Sequence, residues 1–355
     1  MTPEASSSPA TALPGEHEPL VIAVDCNGAD LGPAEVAAGA ALAAGEGARV
    51  LLFGPASELG QPPAGVEIVD APVSIAKAED PALAARTTPE ASIVQAARAV
   101  AEGRAQALVC AGGTGAALAA GTFNIKRAPG IYRPALAIPV PVPHHPVTLL
   151  DVGASAEARR EHLVQFAFMG AALARTVLGV AMPRVGLLSN GEEAARGNAL
   201  VVEAHAELRE RVGAGCEAFE FVGNLEGGDL VSGRADVIVS DGFTGNIALK
   251  LIEGTSRELL AALRDEITAT WRGKLGGLLI GPAARRLRTR LDPDTYGGAY
   301  LLGLKGLVVI AHGNSGRRAI ANAIRLAARG VENHVVDRLA ERPVEVAPQD
   351  ALSGA

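Results

Sequence analysis

Aromatic residues are scarce in this 355-residue chain, since Phe, Tyr and Trp together make up only 3% of it. Few aromatic side chains are therefore available on which nucleobases could stack. The net charge of −7 also argues against a surface that binds the phosphate backbone of a nucleic acid. Composition thus predicts a protein without a nucleic-acid partner.

Cysteine is also rare. Cys26, Cys110 and Cys216 lie far apart in the sequence and form no C-x-x-C pair. The sequence therefore predicts neither a disulfide framework nor a zinc site, and this cysteine usage is typical of a reduced cytosolic protein.

Long apolar runs are missing, because no segment offers the roughly 20 uninterrupted apolar residues that span a bilayer. The first 19 residues are rich in Ser, Pro, Ala and Glu, and they lack the basic start and apolar core of a signal peptide. We expect residues 1–19 and 342–355 to be disordered tails, with one α/β domain between them at residues 20–341.

A unit of apolar strand, glycine-containing turn and helix recurs along the chain. Val, Ile and Leu dominate the strands, which alternate with helical patterns. This alternation predicts an α/β fold with a mainly parallel, doubly wound sheet that is covered on both faces. Because ligands of such sheets bind beyond the carboxyl ends of the strands, we expect the polar turns to meet in one crevice.

The segment ADVIVSDGFTGNIALKLIEG, residues 235–254, is the most informative of these units. The start of its helix directs backbone N–H groups to a place where an anion can bind. Asp241, Thr244, Asn246 and Lys250 add polar side chains there. From this segment alone, an anion site and an ordinary capped turn both remain open.

Residues 256–292 depart from the alternating pattern and carry no strand signal. Apolar residues at helical spacing lead to an apolar tip, and a run of arginines follows. The pattern predicts a helical hairpin that protrudes and binds a membrane surface or an acidic partner. A subunit contact with a solvated arginine face is the alternative. The tip and basic residues are Leu275, Leu278, Leu279, Ile280, Arg285, Arg286, Arg288 and Arg290.

Common catalytic motifs are missing from the glycine-rich turns. The turn at residues 112–115 lacks both G-x-G-x-x-G and the Gly-Lys-Ser/Thr of a P-loop. The HGNSG turn at residues 312–316 lacks the nucleophile elbow G-x-S-x-G. A dehydrogenase would rest on fold analogy alone.

Taken in order, the motifs are far more specific than any one of them. They include IAVDCNGADLGP (22–33), CAGGTGAALAAG (110–121), LLDVGAS (149–155), VGLLSNGEEAARGNAL (185–200), ADVIVSDGFTGNIALKLIEG (235–254) and IAHGNSGRRAIANAI (310–324). In this order they resemble the PlsX-type phosphate acyltransferases over about residues 20–335.

The resemblance implies an enzyme that moves a long acyl chain from acyl carrier protein to inorganic phosphate, for phospholipid synthesis. It implies a fold related to phosphate acetyltransferases and isocitrate dehydrogenase-like proteins, and residues 20–341 would form its catalytic domain. The family is usually a cytoplasmic homodimer without metal or other cofactor, and it is attached peripherally to the membrane. Residues matched to carrier-protein or membrane contact are Leu278, Leu279, Ile280, Arg285, Arg286 and Arg288.

The chemistry needs no nucleophile from the enzyme, because phosphate itself attacks the thioester. A phosphate dianion requires fixed N–H donors and cations, and the developing oxyanion requires hydrogen-bond donors. The absence of a Ser–His–Asp or Cys–His arrangement agrees with this reaction. Catalysis would then come from positioning and electrostatics.

The resemblance also assigns roles to single residues. It places Asn246 and Arg196 at the reacting centre, although the family usually has Lys at the position of Arg196. Turn formation or helix capping is the alternative role for each residue, and Asp25 and Asp151 could fix loop geometry. The residues expected to bind phosphate or the acyl group are Thr114, Asp241, Thr244, Lys250, His312 and Ser315.

Several loops depart from the family pattern. The family's D-A-M-G-G-D reads Asp25-Cys26-Asn27-Gly28-Ala29-Asp30 here, and its H-G-S-S reads His312-Gly313-Asn314-Ser315. Two alternatives therefore remain open, namely a short-chain acyl-CoA phosphate acyltransferase and a non-catalytic paralogue that binds acyl carrier protein or membrane. The sequence leaves the acyl-chain length undetermined.

Overall fold

The structure is a computed structural model that describes residues 20–140, 146–215 and 218–340. The tails expected at residues 1–19 and 342–355 lie outside these described ranges. Within them, strands and helices alternate for most of the chain, as the sequence pattern predicts.

One sheet contains all the strands of the described residues in the order β3-β2-β1-β4-β11-β10-β5-β6-β9-β7-β8. The strands are β1 Val21–Asp25, β2 Arg49–Gly54, β3 Val66–Asp70, β4 Ala107–Ala111, β5 Ala135–Val140, β6 Val147–Leu150, β7 Arg184–Leu188, β8 Glu220–Leu225, β9 Val237–Val239, β10 Ala299–Leu302 and β11 Leu307–Ala311.

Helices cover the sheet on both faces. The α-helices are α1 Pro33–Ala44, α2 Ala56–Leu59, α3 Pro81–Thr87, α4 Ser92–Ala101, α5 Thr114–Ala120, α6 Arg160–Val177, α7 Ala199–Gly213, α8 Gly242–Thr268, α9 Trp271–Leu291, α10 Arg317–Glu332 and α11 Val335–Ala340. A π-helical turn at Gly121–Ile125 and 3-10 turns at Gly227–Val231 and Pro293–Thr295 complete the helical segments described.

The core forms two layers, one on each face of the sheet. Successive side chains of a strand point to opposite faces, so Ile22 and Val24 join one buried cluster and Ala23 joins the other. Burial on both faces explains why the strands are continuous apolar runs. The predicted α/β fold with a mainly parallel sheet is confirmed.

The strands divide into two groups of opposite direction. The first group contains β3, β2, β1, β4 and β11, which run parallel. β10 is antiparallel to both β11 and β5, and β5 is antiparallel to β6. The strands β6, β9, β7 and β8 again run parallel. Their carboxyl ends therefore lie at the edge opposite to those of β4 and β11. The expectation that the polar turns gather at one edge is wrong. Since β10 is antiparallel to both of its neighbours, β5 keeps the direction of β11, and the direction of the second group is reversed by the antiparallel pairing of β5 with β6.

The predicted helical hairpin is present as α8 and α9, but it differs from the expectation in two ways. Helix α8 begins at Gly242, so one continuous helix joins the polar turn to the hairpin. The Thr270 hydroxyl accepts a hydrogen bond from Gly273 N at 3.0 Å and thereby starts α9. Leu278 and Leu279, 77% and 80% exposed, consequently lie within α9 and not in the connection between the helices.

The described helices include none that is both long enough and apolar enough to span a membrane.

Two glycines allow the first turn of α8 to pack against the loop that follows β6. A Cβ atom on Gly242 would lie 2.7 Å from Oδ2 of Asp151, and one on Gly245 would overlap the carbonyl oxygen of Asp151. Only hydrogen fits at either position, since a protein interior leaves no room for a displaced backbone. This contact fixes where α8 begins.

We expect Gly245→Ala to lower the free energy of unfolding by about 1–3 kcal/mol, because the added methyl group forces two backbone segments apart. Gly254→Ala is the matched control on the same helix, where a Cβ would meet no atom within 4 Å. That change should be neutral or stabilise by up to about 1 kcal/mol through helix propensity. Urea unfolding of both variants measures the difference, and equal effects would contradict the packing argument.

Candidate functional site

The loop at residues 151–155 is organised by one buried carboxylate. Asp151 Oδ1 accepts hydrogen bonds from the backbone N–H groups of Leu136 at 2.9 Å, Gly153 at 3.1 Å and Ala154 at 2.9 Å. Its Oδ2 accepts from Ser155 N at 2.9 Å and Ser155 Oγ at 2.8 Å. Burial raises the pKa of Asp151, and these hydrogen bonds oppose that rise. Asp151 therefore fixes the geometry of this loop, which is the role suggested for it above.

Asp241 and Thr244 cap the helix that begins beside this loop. The Asp241 carboxylate accepts hydrogen bonds from Thr244 N at 2.9 Å and from Thr244 Oγ1 at 2.7 Å. Both polar side chains thus have a structural partner, as a capped turn requires. The binding roles predicted for Asp241 and Thr244 remain predictions.

Asn246 differs from its neighbours in this turn. Its side chain is exposed, and no hydrogen-bond partner for it occurs in the described part of the chain. A Cβ built on Gly153 would lie 3.9 Å from Asn246 Cβ, so the amide faces the loop organised by Asp151. An unpaired amide on a rigid helical turn is free to bind a ligand.

Arg196 lies in the loop after β7, the strand next to β9. Its side chain is 64% exposed and forms an ion pair with Glu193 at 3.5 Å. The buried amide of Asn224 supports the loop by donating to the carbonyl oxygens of Glu193 at 2.8 Å and Arg196 at 3.2 Å. His205 Nδ1 lies 3.0 Å from Asn224 Oδ1 and orients this amide. Arg196 and Asn246 thus follow adjacent parallel strands at the same sheet edge.

Three predicted site residues lie at the opposite edge. Thr114 begins α5 after β4, and His312 and the buried Ser315 lie on the loop after β11. The loops after β4 and β11 approach closely, because a Cβ on Gly112 would lie 2.6 Å from Gly28 O and 3.1 Å from Gly313 Cα. Gly112 also has a φ of +69°, which favours glycine. The two strand groups therefore divide the predicted site residues between two edges.

Helix α8 joins the two edges. It packs against β5 and β6 and rises about 1.5 Å per residue, so it covers about 16 Å between Gly242 and Glu253. Asn246, Lys250 and Glu253 have the spacing i, i+4 and i+7, which places them on one helix face. We call these three residues the polar stripe.

The polar stripe ends at His312. His312 Nε2 lies 3.0 Å from Glu253 Oε1, and Lys250 Nζ lies 2.8 Å from Glu253 Oε2. Burial favours the neutral form of Glu253, but the hydrogen bonds and charges of His312 and Lys250 outweigh it and lower its pKa. The structure thus brings Lys250 and His312 together through a residue that sequence reasoning missed. The sequence did contain a signal for the Lys250–Glu253 ion pair, since Glu253 follows Lys250 by three residues on a predicted helix.

An apolar stripe lies beside the polar one. Phe243, Ile247 and Leu251 are 64%, 52% and 67% exposed, and their spacing of four residues places them along one side of α8. Large apolar side chains exposed in a row are typical of a surface that binds an apolar ligand or partner.

Asp25, at the end of β1, is buried next to two cysteines. Burial raises the pKa of Asp25 to about 6. Cys26 Sγ donates to Phe53 O at 2.9 Å, and burial followed by the charge of Asp25 raises the pKa values of both Cys26 and Cys110. Both thiols are therefore held in the unreactive protonated form.

Comparison with solved structures defines the fold class of this protein. The structure resembles that of EutD phosphotransacetylase from Staphylococcus aureus, with a TM-score of 0.56 and 15% sequence identity over 87% of this chain and 94% of that chain. At this identity the likeness shows the fold alone, which is the α/β fold of a phosphotransacetylase.

The sequence comparisons define the family. Residues 20–338 match the family described as "Fatty acid synthesis protein". The chain is 45% identical over 337 residues to a phosphate acyltransferase from Heliobacterium modesticaldum, covering 92% of this chain and 99% of the relative. It is 43% identical over 325 residues to one from Pelotomaculum thermopropionicum, covering 90% and 93%. The chain belongs to the PlsX-type phosphate acyltransferase family, and it is an enzyme.

We expect Asp25→Asn to change how stability depends on pH. Because the pKa of Asp25 rises from 3.8 to about 6 in the folded protein, folding takes up a proton between these values. The wild-type free energy of unfolding should therefore fall relative to the variant as pH rises from about 3 to about 7, by about 3 kcal/mol. Urea unfolding at several pH values measures this, and parallel curves would refute the assignment.

Proposed function

We propose that this enzyme transfers a fatty acyl group from acyl carrier protein to inorganic phosphate and so supplies acyl phosphate for phospholipid synthesis. The observation that carries the proposal is the pair of stripes on α8 in a chain of the phosphate acyltransferase family. The polar stripe offers an amide and an ammonium group for the reacting atoms. The apolar stripe beside it suits a long acyl chain, which gains free energy from each methylene group removed from water.

In the proposed reaction, a phosphate oxygen attacks the carbonyl carbon of the thioester. The C–O bond forms, the C–S bond breaks, and the proton of hydrogen phosphate passes to the departing thiolate. Asn246 donates an N–H to the developing oxyanion, while Arg196 and Lys250 attract the phosphate charge. His312, which contacts Glu253 at the end of the polar stripe, would approach the phosphate from the other sheet edge, whereas the binding roles of Thr114 and the buried Ser315 remain predictions. No step requires a group absent from this chain and its two substrates.

Two alternatives make different predictions. A short-chain phosphate acyltransferase would use acyl-CoA, and the exposed apolar stripe favours the long-chain donor over it. A paralogue that only binds carrier protein or membrane would leave the thioester intact. An assay with donors of several chain lengths separates these alternatives.

The direct experiment mixes purified protein, fatty-acyl carrier protein and phosphate, and traps acyl phosphate with hydroxylamine. Hydroxamate that depends on phosphate would support the proposal. Equal or faster turnover of acetyl-CoA would favour the short-chain alternative. Unchanged thioester with every donor would exclude phosphate acyltransfer.

We expect Asn246→Ala to lower kcat by about 10²–10³-fold, the usual cost of removing one oxyanion donor. Stability should not fall, because Asn246 is exposed and alanine has the higher helix propensity. Asn333→Ala is the control for the loss of an exposed amide elsewhere in the molecule; this amide follows α10 and donates to Arg329 O at 2.8 Å, so its loss should leave kcat unchanged. Wild-type turnover in Asn246→Ala would remove Asn246 from the reacting centre.

We also propose that the hairpin of α8 and α9 attaches the protein peripherally to membranes. Exposed Leu278, Leu279 and Ile280 would enter the lipid, and Arg285, Arg286 and Arg288 would contact either anionic headgroups or the acidic carrier protein. The remaining exposed apolar residues, including Leu259 and Leu263 of α8, support a contact with a second copy in a homodimer. Analytical ultracentrifugation measures that association.

Replacing Leu278, Leu279 and Ile280 with Ser should abolish sedimentation with anionic liposomes, because each loses an apolar side chain from the lipid-facing surface. The control is Leu83→Ser, which changes an exposed leucine on α3. If the triple variant still sediments while remaining folded, α9 is not the anchor.

A further inference from the structure

Glu253 is a carboxylate that holds two site residues at once. Each of its oxygens has a separate partner, with Oε1 lying 3.0 Å from His312 Nε2 and Oε2 lying 2.8 Å from Lys250 Nζ. The Glu253 side chain is only 15% exposed, whereas those of His312 and Lys250 are 29% and 53% exposed. The carboxylate thus lies beneath the two groups that can reach a ligand.

The protonation of this cluster follows from its hydrogen bonds. Because the hydrogen bonds and charges of His312 and Lys250 lower the pKa of Glu253, the carboxylate is ionised and can only accept. Nε2 of His312 therefore donates to Glu253, and Nδ1 is the ring nitrogen that Glu253 does not contact. Lys250 uses one of its three N–H donors on Glu253 and keeps two.

The surrounding charges limit what Glu253 itself can contact. Asp294 lies close enough to interact electrostatically with both His312 and Glu253, and burial raises the pKa of Asp294. Glu253 is negative, so it repels a phosphate dianion and is unsuited to bind it. Glu253 can therefore affect phosphate binding only through His312 and Lys250.

Glu253 also connects parts of the chain that are distant in sequence. Lys250 and Glu253 belong to α8, whereas His312 follows β11, and 59 residues separate Glu253 from His312. The Glu253–His312 contact thus sets the position of the loop after β11 relative to the polar stripe. Loss of this carboxylate would release both partners without removing either.

We propose that Glu253 is the positioning residue of the phosphate site, holding His312 and Lys250 in the orientation that binds the attacking phosphate. This inference rests on the proposed phosphate acyltransfer. It assigns Glu253 no contact with either substrate. Its loss should consequently weaken phosphate binding more than it affects the acyl donor.

The test measures kcat and both KM values with the hydroxamate assay. Glu253→Ala should raise KM for phosphate about tenfold, as expected when a charged hydrogen-bonding partner is lost, and should change KM for the acyl donor less than about twofold. Glu253→Gln should have a smaller effect on KM for phosphate. Its amide oxygen still accepts from His312, but its NH₂ group cannot accept from Lys250.

A double-mutant cycle separates positioning from general stability. In a His312→Ala background, Glu253→Ala should raise KM for phosphate less than about threefold further, because one of its two targets is already gone. Glu46→Ala is the matched control, since Glu46 holds Arg325 through two hydrogen bonds of 2.6 Å away from α8. This variant should leave both KM values unchanged.

The outcomes distinguish the two proposals. Wild-type protein that forms no phosphate-dependent hydroxamate would overturn the proposed function. Active wild-type protein with an unchanged KM for phosphate in Glu253→Ala, or with fully additive effects in the cycle, would overturn the positioning role. Should Glu253→Ala fail to fold, Glu253→Gln replaces it because the amide fills the same volume, and an unchanged KM for phosphate in Glu253→Gln would then overturn the positioning role.

Discussion

The close approach of α8 to the loop after β6 is the contact on which the site depends. Gly242 and Gly245 bring the first turn of the helix against the backbone of Asp151 and Ser155. Five hydrogen bonds to the Asp151 carboxylate keep that loop in place. The contact between this loop and the first turn of α8 fixes both the start and the direction of the helix. The positions of the side chains along α8 follow from that contact.

Helix α8 connects features that would otherwise be separate. Its first three turns carry the polar and apolar stripes, and its remainder forms one arm of the exposed hairpin. A continuous helix transmits position along its length because each backbone hydrogen bond constrains the next turn. Helix α8 therefore carries residues of the proposed reacting centre and also supports α9, which bears the proposed membrane surface.

The polar side chains around this site divide by burial into different roles. Asp151 and Asp25 are buried, and their hydrogen bonds go to the protein itself. Asn246, Lys250 and Arg196 are exposed, with polar atoms available to a ligand. Glu253 is intermediate. Its side chain is mostly covered, but its two partners, Lys250 and His312, are more exposed. Such a division is expected where buried groups fix loops and exposed groups bind substrate.

The sequence by itself determined the fold class, the family and the turn at Asp241, because these depend on local periodicity, capping and the order of motifs. It also placed a helical hairpin within residues 256–292, although the Thr270 cap sets the connection earlier than the apolar run suggested. Strand direction was decided only by the tertiary structure. Parallel and antiparallel neighbours have equally apolar strands when both faces are buried, so the antiparallel pairing of β5 with β6 left no clear signal. The meeting of Glu253 with His312 likewise depends on how α8 crosses the sheet, which is a property of packing between distant segments and not of either segment alone.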